Sequence, residues 1–228
     1  MLSVCLCLMH GKLLFKEGMR RLDESSFHTL ENAPSSSRLM WETEGRRNKT
    51  ETVLFDVNIV HRKGPAGCEG DFVELDFARG GVTIIPYFVG KDGIARFVME
   101  RQYRHGSESV TLEFPAGLVE KGEDPYDAAV RELWEETGLK AEKVTNLGTI
   151  CQNSAYMKCP VGFFLAEGLT VEADLKDRKL DENEQIDVLK VPVSYVLENF
   201  GKDELTNGAA LLALPFFMRE MKKRNITF

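Results

Sequence analysis

Hydrophobic and polar positions change period along this chain of 228 residues. Before residue 105 the apolar residues come in short runs or in alternation. "ETVLFDVNIVHRK" (51–63), "DFVELDFA" (71–78) and "GVTIIPYFV" (81–89) are rich in β-branched and aromatic residues and are divided by "GPAGCEG" and "RGG". Such runs predict strands. "GKDGIARFVMERQYR" (90–104) reads as a turn followed by another strand, which completes a mostly antiparallel sheet ahead of any long helix. A second strand series is expected around "NLGTICQ" and "CPVGFFLAEGL", and "IDVLKVPVSYVLENF" reads as a strand followed by a short helix. "ELTNGAALLALPFFMREMKKR" (204–224) has helical spacing, a bend expected near Pro215, and a basic end that suits a helix C-terminus. Strands, helix, strands and a closing helix predict a layered α/β fold with no run of βαβ units.

Between these strand series lies residues 113–142, where the pattern becomes helical. Asp124 is a good N-cap, Pro125 sits where a missing helical N–H is harmless, and Gly138 supplies the stop. Ala129, Val130, Leu133, Trp134 and Thr137 are expected to form the packing side, because residues three and four apart share a helix face.

Composition changes the picture at this helix. From Glu113 to Glu136 the chain carries eight carboxylates against only Lys121 and Arg131. Glu132, Glu135 and Glu136, spaced i, i+3 and i+4, gather like charges that repel unless something neutralises them. A solvated acidic helix is the plain explanation. A hard divalent cation is the chemical one, because magnesium takes oxygen ligands from carboxylates, water and phosphates. The whole chain is 43% hydrophobic and 29% charged with a formal charge of −7, enough to bury a core and unsuited to general attraction to nucleic acid or anionic membrane. Five cysteines form no CxxC pair or staple pattern, which fits a reducing compartment and a cytoplasmic location; lipidation at Cys5 or Cys7 is an alternative. The four histidines show no zinc spacing. The apolar start meets Lys12 too soon to span a bilayer. Neither a Gly-rich dinucleotide loop nor a GKS/GKT loop is present.

Gly117, Glu123, Arg131, Glu132, Leu133, Glu135, Glu136, Gly138 and Leu139 match every fixed element of G-x5-E-x7-R-E-U-x-E-E-x-G-U, with U aliphatic. In this the sequence closely resembles the Nudix hydrolases. The resemblance implies an α/β/α sandwich with a mixed sheet and an N-terminal β-rich extension, together with Mg²⁺- or Mn²⁺-dependent hydrolysis of a nucleoside diphosphate linked to another group. By the same resemblance Glu132 and Glu136 are expected metal ligands, and Glu135 a ligand or base-orienting residue. The Ala116 carbonyl would complete the coordination, while Glu123 and Arg131 brace loop and helix.

Outside the box, "RQYRHG" (101–106), "FFLAEGL" and "DENEQIDVLKVPV" (181–193) resemble the ADP-ribose and nucleoside diphosphate sugar pyrophosphatase branch. This makes Arg104, and also Arg101, candidate phosphate contacts. Glu182 or Glu184 becomes a candidate for orienting or deprotonating water. ADP-ribose-specific relatives commonly carry proline sixteen residues after the box, where this chain has Ala155; Tyr156, at seventeen, resembles some dinucleoside polyphosphate hydrolases. Three functional readings stand at this point: a nucleoside diphosphate sugar hydrolase, a dinucleoside polyphosphate hydrolase, and a non-catalytic nucleotide-binding or regulatory protein. Residues 1–40 are expected to be a partly flexible segment, 41–85 a β-rich extension that takes part in a homodimer, and 86–228 the catalytic domain.

Overall fold

The computed structural model describes residues 8–9, 12–13, 29–31, 33–172 and 185–227. Two short strands, β1 (Leu8–Met9) and β2 (Lys12–Leu13), pair with each other. A four-stranded sheet follows, in the order β11-β5-β4-β3, from β3 (Glu42–Glu51), β4 (Asp56–Lys63), β5 (Glu69–Asp76) and the later β11 (Met157–Lys158). β3 was not expected. Its residues, ETEGRRNKTE, have no apolar alternation and stay almost wholly exposed, so it is a strand by virtue of its ladder with β4. The expected run 51–63 is broken by a turn in which the Thr52 hydroxyl accepts from the Leu54 and Phe55 amides and donates to the Phe55 carbonyl. That turn separates β3 from β4 and leaves Val53 and Leu54 exposed.

The main sheet has seven strands. Its path runs β10 (Leu139–Cys151), β12 (Pro160–Val171), β6 (Gly81–Val89), β7 (Ala95–Arg104) and β13 (Asp187–Pro192); β8 (Ser109–Glu113) pairs with β7 and β9 (Ala116–Leu118) with β6. β12 and β6 are parallel, the other pairs antiparallel, so the sheet is mixed. Pro86 sits in this central strand without breaking it: β6 pairs β9 through Gly81–Thr83 and β7 only from Tyr87, so the missing N–H falls where one partner gives way to the next. β6, which spans the 85/86 boundary expected from the sequence, belongs to the seven-stranded sheet along its whole length.

Period-two alternation sends one set of side chains to each face. On one side Ile85, Tyr87, Phe97, Met99, Phe163 and Leu165 pack against α2 (Val193–Asn199) and α3 (Gly208–Lys223). Phe217 of α3 stands edge-on to Phe97 with ring centres 4.8 Å apart. α3 lies within the stretch expected to be helical; it begins where Asn207 caps the Ala210 amide and carries Pro215 within it. On the other side Val82, Ile84, Val98, Phe164 and Ala166 meet α1 (Pro125–Thr137). The result is the expected α/β/α sandwich.

α1 starts and stops where its sequence predicts, with the Asp124 side chain accepting from the Tyr126 amide and Gly138 in the left-handed region at φ 69°. Its packing side differs. Ala128, Ala129, Leu133, Glu136 and Thr137 are buried, Val130 is exposed, and Trp134 is half-buried. The helix is turned so that the row 128, 132, 136 also faces the sheet, because small alanines let it sit close at one end while β9 meets it at the other. Two of the acids thus lie at the edge of the core rather than in solvent.

Candidate active site

β9 runs beside α1, and the contact between them depends on one missing side chain. A Cβ at Gly117 would lie 1.9 Å from Oε1 of Glu132, so only glycine lets the carboxylate rest against this strand. One turn on, Glu136, 4% exposed, accepts a 2.9 Å hydrogen bond at Oε2 from the Ala116 amide. Adjacent residues of β9 therefore position both glutamates.

Arg131 organises the outer side of the cluster. Its Nε and Nη2 donate to the two oxygens of Glu123 at 2.9 and 3.0 Å, Nη2 also reaches the Leu118 carbonyl, and Nη1 donates to Glu132 at 2.8 Å and to Glu135 at 3.0 Å. Glu123 additionally accepts from the Glu120 amide, closing the loop that leads into α1. The paired Glu123 carboxylate raises the Arg131 pKa above the usual guanidinium range, and Arg131 in turn holds the Glu123 carboxyl below its ordinary value. One cation thus ties the loop to the helix and touches three acids.

The other wall is β7. Its even positions, Val98, Glu100, Gln102 and Arg104, face α1; odd positions face α3. Arg104 donates from Nε and Nη2 to both oxygens of Glu113 on β8, at 2.8 and 2.7 Å, and Glu113 is 2% exposed. The Thr111 hydroxyl also donates to Glu113. The guanidinium is pushed to a higher pKa chiefly by Glu113, with smaller contributions from the charges of Glu136 on α1 and Glu100 on β7. Glu100, fully buried, is the cross-strand neighbour of Glu113. Neither Glu100 nor Glu113 was given a role from sequence; the same alternation that places Arg104 would have revealed Glu100.

The structure therefore gathers Ala116, Gly117, Glu123, Arg131, Glu132, Glu135, Glu136 and Arg104 around one end of the sheet, with Gly138 closing the helix. Arg101 is not among them. Three residues from Arg104, it lies on the other face of β7, in an exposed 2.8 Å pair with Glu204. Tyr156 is also apart, in a pocket of about 730 Å³ between the four-stranded sheet and the turn after β10. Trp41, Arg62, Phe72, Ala155, Tyr156 and Lys158 line it, and no residue of the α1 acid cluster does. Trp41 stands edge-on to Phe72 and lies so close to Gly64 that a Cβ there would meet the indole at 2.5 Å. Glu182 and Glu184 lie outside the described residues.

Chemically, the α1 cluster is an all-oxygen donor set at the edge of a low-dielectric core, with Arg104 as a second positive element nearby. Such a set suits a hard divalent cation. The buried Glu136, the strand amide aimed at it and the glycine that admits Glu132 fit that role better than an exposed charge run would.

Comparison with known proteins places this geometry. An ADP-ribose pyrophosphatase of Bacillus subtilis (strain 168) is 34% identical over 121 residues, covering 53% of this chain and 64% of that protein. A methanol dehydrogenase activator of Bacillus methanolicus is 30% identical over 121 residues, with the same shares covered. The match thus spans less than two-thirds of the length of each relative. A crystal structure of an ADP compounds hydrolase superposes with a TM-score of 0.70 over 83% of this chain and 98% of that one; at 24% identity this likeness speaks for the fold alone. No helix among the described residues is long and apolar enough to cross a membrane. The NUDIX domain model matches residues 79–204, more than half of the chain and the whole of the site just described, and the protein belongs to the NUDIX family.

Proposed function

We propose that this protein hydrolyses the pyrophosphate bond of ADP-ribose or another nucleoside diphosphate sugar, with Mg²⁺ or Mn²⁺ as cofactor. With ADP-ribose the products are AMP and ribose 5-phosphate. The observation that carries this reading is the buried Glu136 held by the Ala116 amide beside Glu132 at the Gly117 cradle, with Arg104 in the field of Glu136. The likeness to the ADP-ribose pyrophosphatase of Bacillus subtilis supports the substrate class.

In this reading Glu132 and Glu136, with Glu135 and the Ala116 carbonyl, hold the cation. When bound, it polarises phosphate oxygens and lowers the pKa of a coordinated water. The remaining work belongs to the chain. The Ala116 amide fixes the Glu136 carboxylate, and Arg131 keeps the loop and helix in register through Glu123. Arg104, oriented by Glu113, directs its guanidinium at the diphosphate, where a planar cation makes paired hydrogen bonds. Glu182 or Glu184 orients water or takes its proton. Tyr156, with Ala155 beside it, contacts the group beyond the pyrophosphate, and the four-stranded sheet with its exposed Trp41, Phe72 and Val73 supplies a homodimer interface.

Rates on ADP-ribose, a second nucleoside diphosphate sugar and a dinucleoside polyphosphate, measured at one Mg²⁺ concentration, test the proposal. The nucleotide sugars are expected to be turned over fastest. A preference for the dinucleoside polyphosphate would shift the assignment to the reading that Tyr156 favours, and no hydrolysis of any of them would reject the enzyme. Sedimentation showing only monomer at concentrations that support full activity would reject the dimer.

A further inference from the structure

The four-stranded sheet carries a second group of cation-seeking side chains, on different strands from the α1 acids. β3 is bulged between Thr43 and Gly45, so Glu44 is an extra residue against the ladder with β4. Bulges re-aim side chains. Here Glu44 comes to His61, its Oε2 3.8 Å from Nε2. On β5, Glu69 and Asp71 are two residues apart and therefore share a face, opposite Lys63 and His61 of β4. One ligand atom from each of Glu44, His61 and Glu69 lies within 4.8 Å of the others.

The fourth residue sets the chemistry. His61 Nδ1 lies 2.8 Å from Oδ1 of Asp71, whose Oδ2 accepts from Arg47 Nη2 at 2.6 Å. An ionised carboxylate only accepts, so Nδ1 carries the proton and donates. In the neutral ring the lone pair is then on Nε2, which faces the Glu44 carboxylate. A lone pair opposed to an anion is unfavourable, and either a proton on Nε2 or a metal cation between the two removes the conflict. An imidazole whose far nitrogen is held by a carboxylate is also the arrangement that orients histidine ligands on metals.

We propose that Glu44, His61 and Glu69 form a binding site for a divalent transition-metal cation of the zinc type, with Asp71 orienting His61, and that the ion joins β3, β4 and β5. One imidazole nitrogen and two carboxylates select such an ion over magnesium, whose preference is for oxygen alone. Lys63, 3.8 Å from Glu44 and half exposed, is the competing cation and has room to swing into solvent. The site is independent of the proposed hydrolase reaction.

The test uses the full chain, stripped of metal and then kept in excess Mg²⁺ so that oxygen-only sites are filled. Zn²⁺ is titrated by calorimetry and the melting temperature followed in parallel. One equivalent of Zn²⁺ is expected to bind and raise the melting temperature, since a ligand of the folded state stabilises it. His61→Ala and Glu44→Gln should each abolish that equivalent and its thermal shift, and Asp71→Asn should weaken it roughly 10- to 100-fold. Glu136→Gln should leave it unchanged. Circular dichroism reports whether each variant is folded, and with two independent ligands substituted the conclusion does not hang on one of them. Wild-type zinc affinity in folded His61→Ala or Glu44→Gln, or no zinc binding by the unaltered chain, would overturn the proposal.

Discussion

The two faces of the seven-stranded sheet are buried to similar depth by different means. Towards α3 the core is aromatic and aliphatic, with Phe97 edge-on to both Phe114 and Phe217 and Phe163 stacked on Phe216. Towards α1 the apolar set is smaller, and the same layer buries Glu100, Gln102, Glu113 and Glu136. Burying a charge is unfavourable unless it is paired or neutralised. A chain that spends this on one face only has separated the face that holds the fold together from the face where charge is used.

Phe217→Ala should show the largest effect, about 3–5 kcal/mol of lost stability by denaturant unfolding, because it opens a cavity in the aromatic layer. Any protein that remains folded should keep its activity per folded molecule. Glu136→Gln should do the reverse: hydrolysis falls by roughly 10²–10³, the range for removing one preorganised electrostatic group, while stability moves little. If the glutamine variant lost stability and kept its rate, the division between the faces would fail.

Arg104→Ala sharpens the comparison because it touches both properties. Glu113 loses its bidentate partner while 2% exposed, and a buried acceptor left unsatisfied costs about 1–3 kcal/mol, towards the lower end here because Arg104 is itself 40% exposed. Adding Glu113→Gln should recover part of the stability and none of the activity. Recovery of both would mark Arg104 as a brace only.

A smaller effect is expected at low pH. Glu123 has a folded-state pKa below its ordinary value of 4.5, chiefly through Arg131. Its stabilisation is therefore complete above that value and is lost as pH falls through the folded-state pKa. Glu123→Gln should lower stability at neutral pH by up to about 1 kcal/mol and flatten the acid limb of the stability curve. An unchanged acid limb would remove the brace role. The smallest effect should belong to Arg101→Ala: an exposed pair is worth about 0.2–1 kcal/mol, and hydrolysis should stay within threefold of the unaltered chain.

Sequence alone revealed what is local. The Asp124 and Gly138 caps are decided by a few neighbouring residues, helical spacing marks 204–224 and a strand followed by a short helix is legible in "IDVLKVPVSYVLENF", and the box spacing picks out the acids on α1. What it missed depends on partners far along the chain. β3 is a strand only because β4 is beside it. The buried side of α1 passes over Val130 and takes in Glu136 because of what β9 presents. Arg101 is different: three residues from Arg104 on a strand means the opposite face, so period-two alternation alone was enough to part them. The Glu44–His61–Glu69 group was hidden because it needs a register and a bulge that no local pattern announces.

Glu136, buried on α1, and Glu132 and Glu135 beside it are proposed to serve a cation that acts on pyrophosphate. The direct measurement is ADP-ribose hydrolysis by the metal-stripped full chain, titrated with Mg²⁺ and followed through release of AMP, beside Glu136→Gln in the same buffers. No turnover is expected without metal, with restoration by Mg²⁺ or Mn²⁺ in the unaltered chain and a rate in the variant that no metal concentration restores. Full turnover in metal-free buffer, or a variant as fast as the unaltered chain at every Mg²⁺ concentration, would contradict that role.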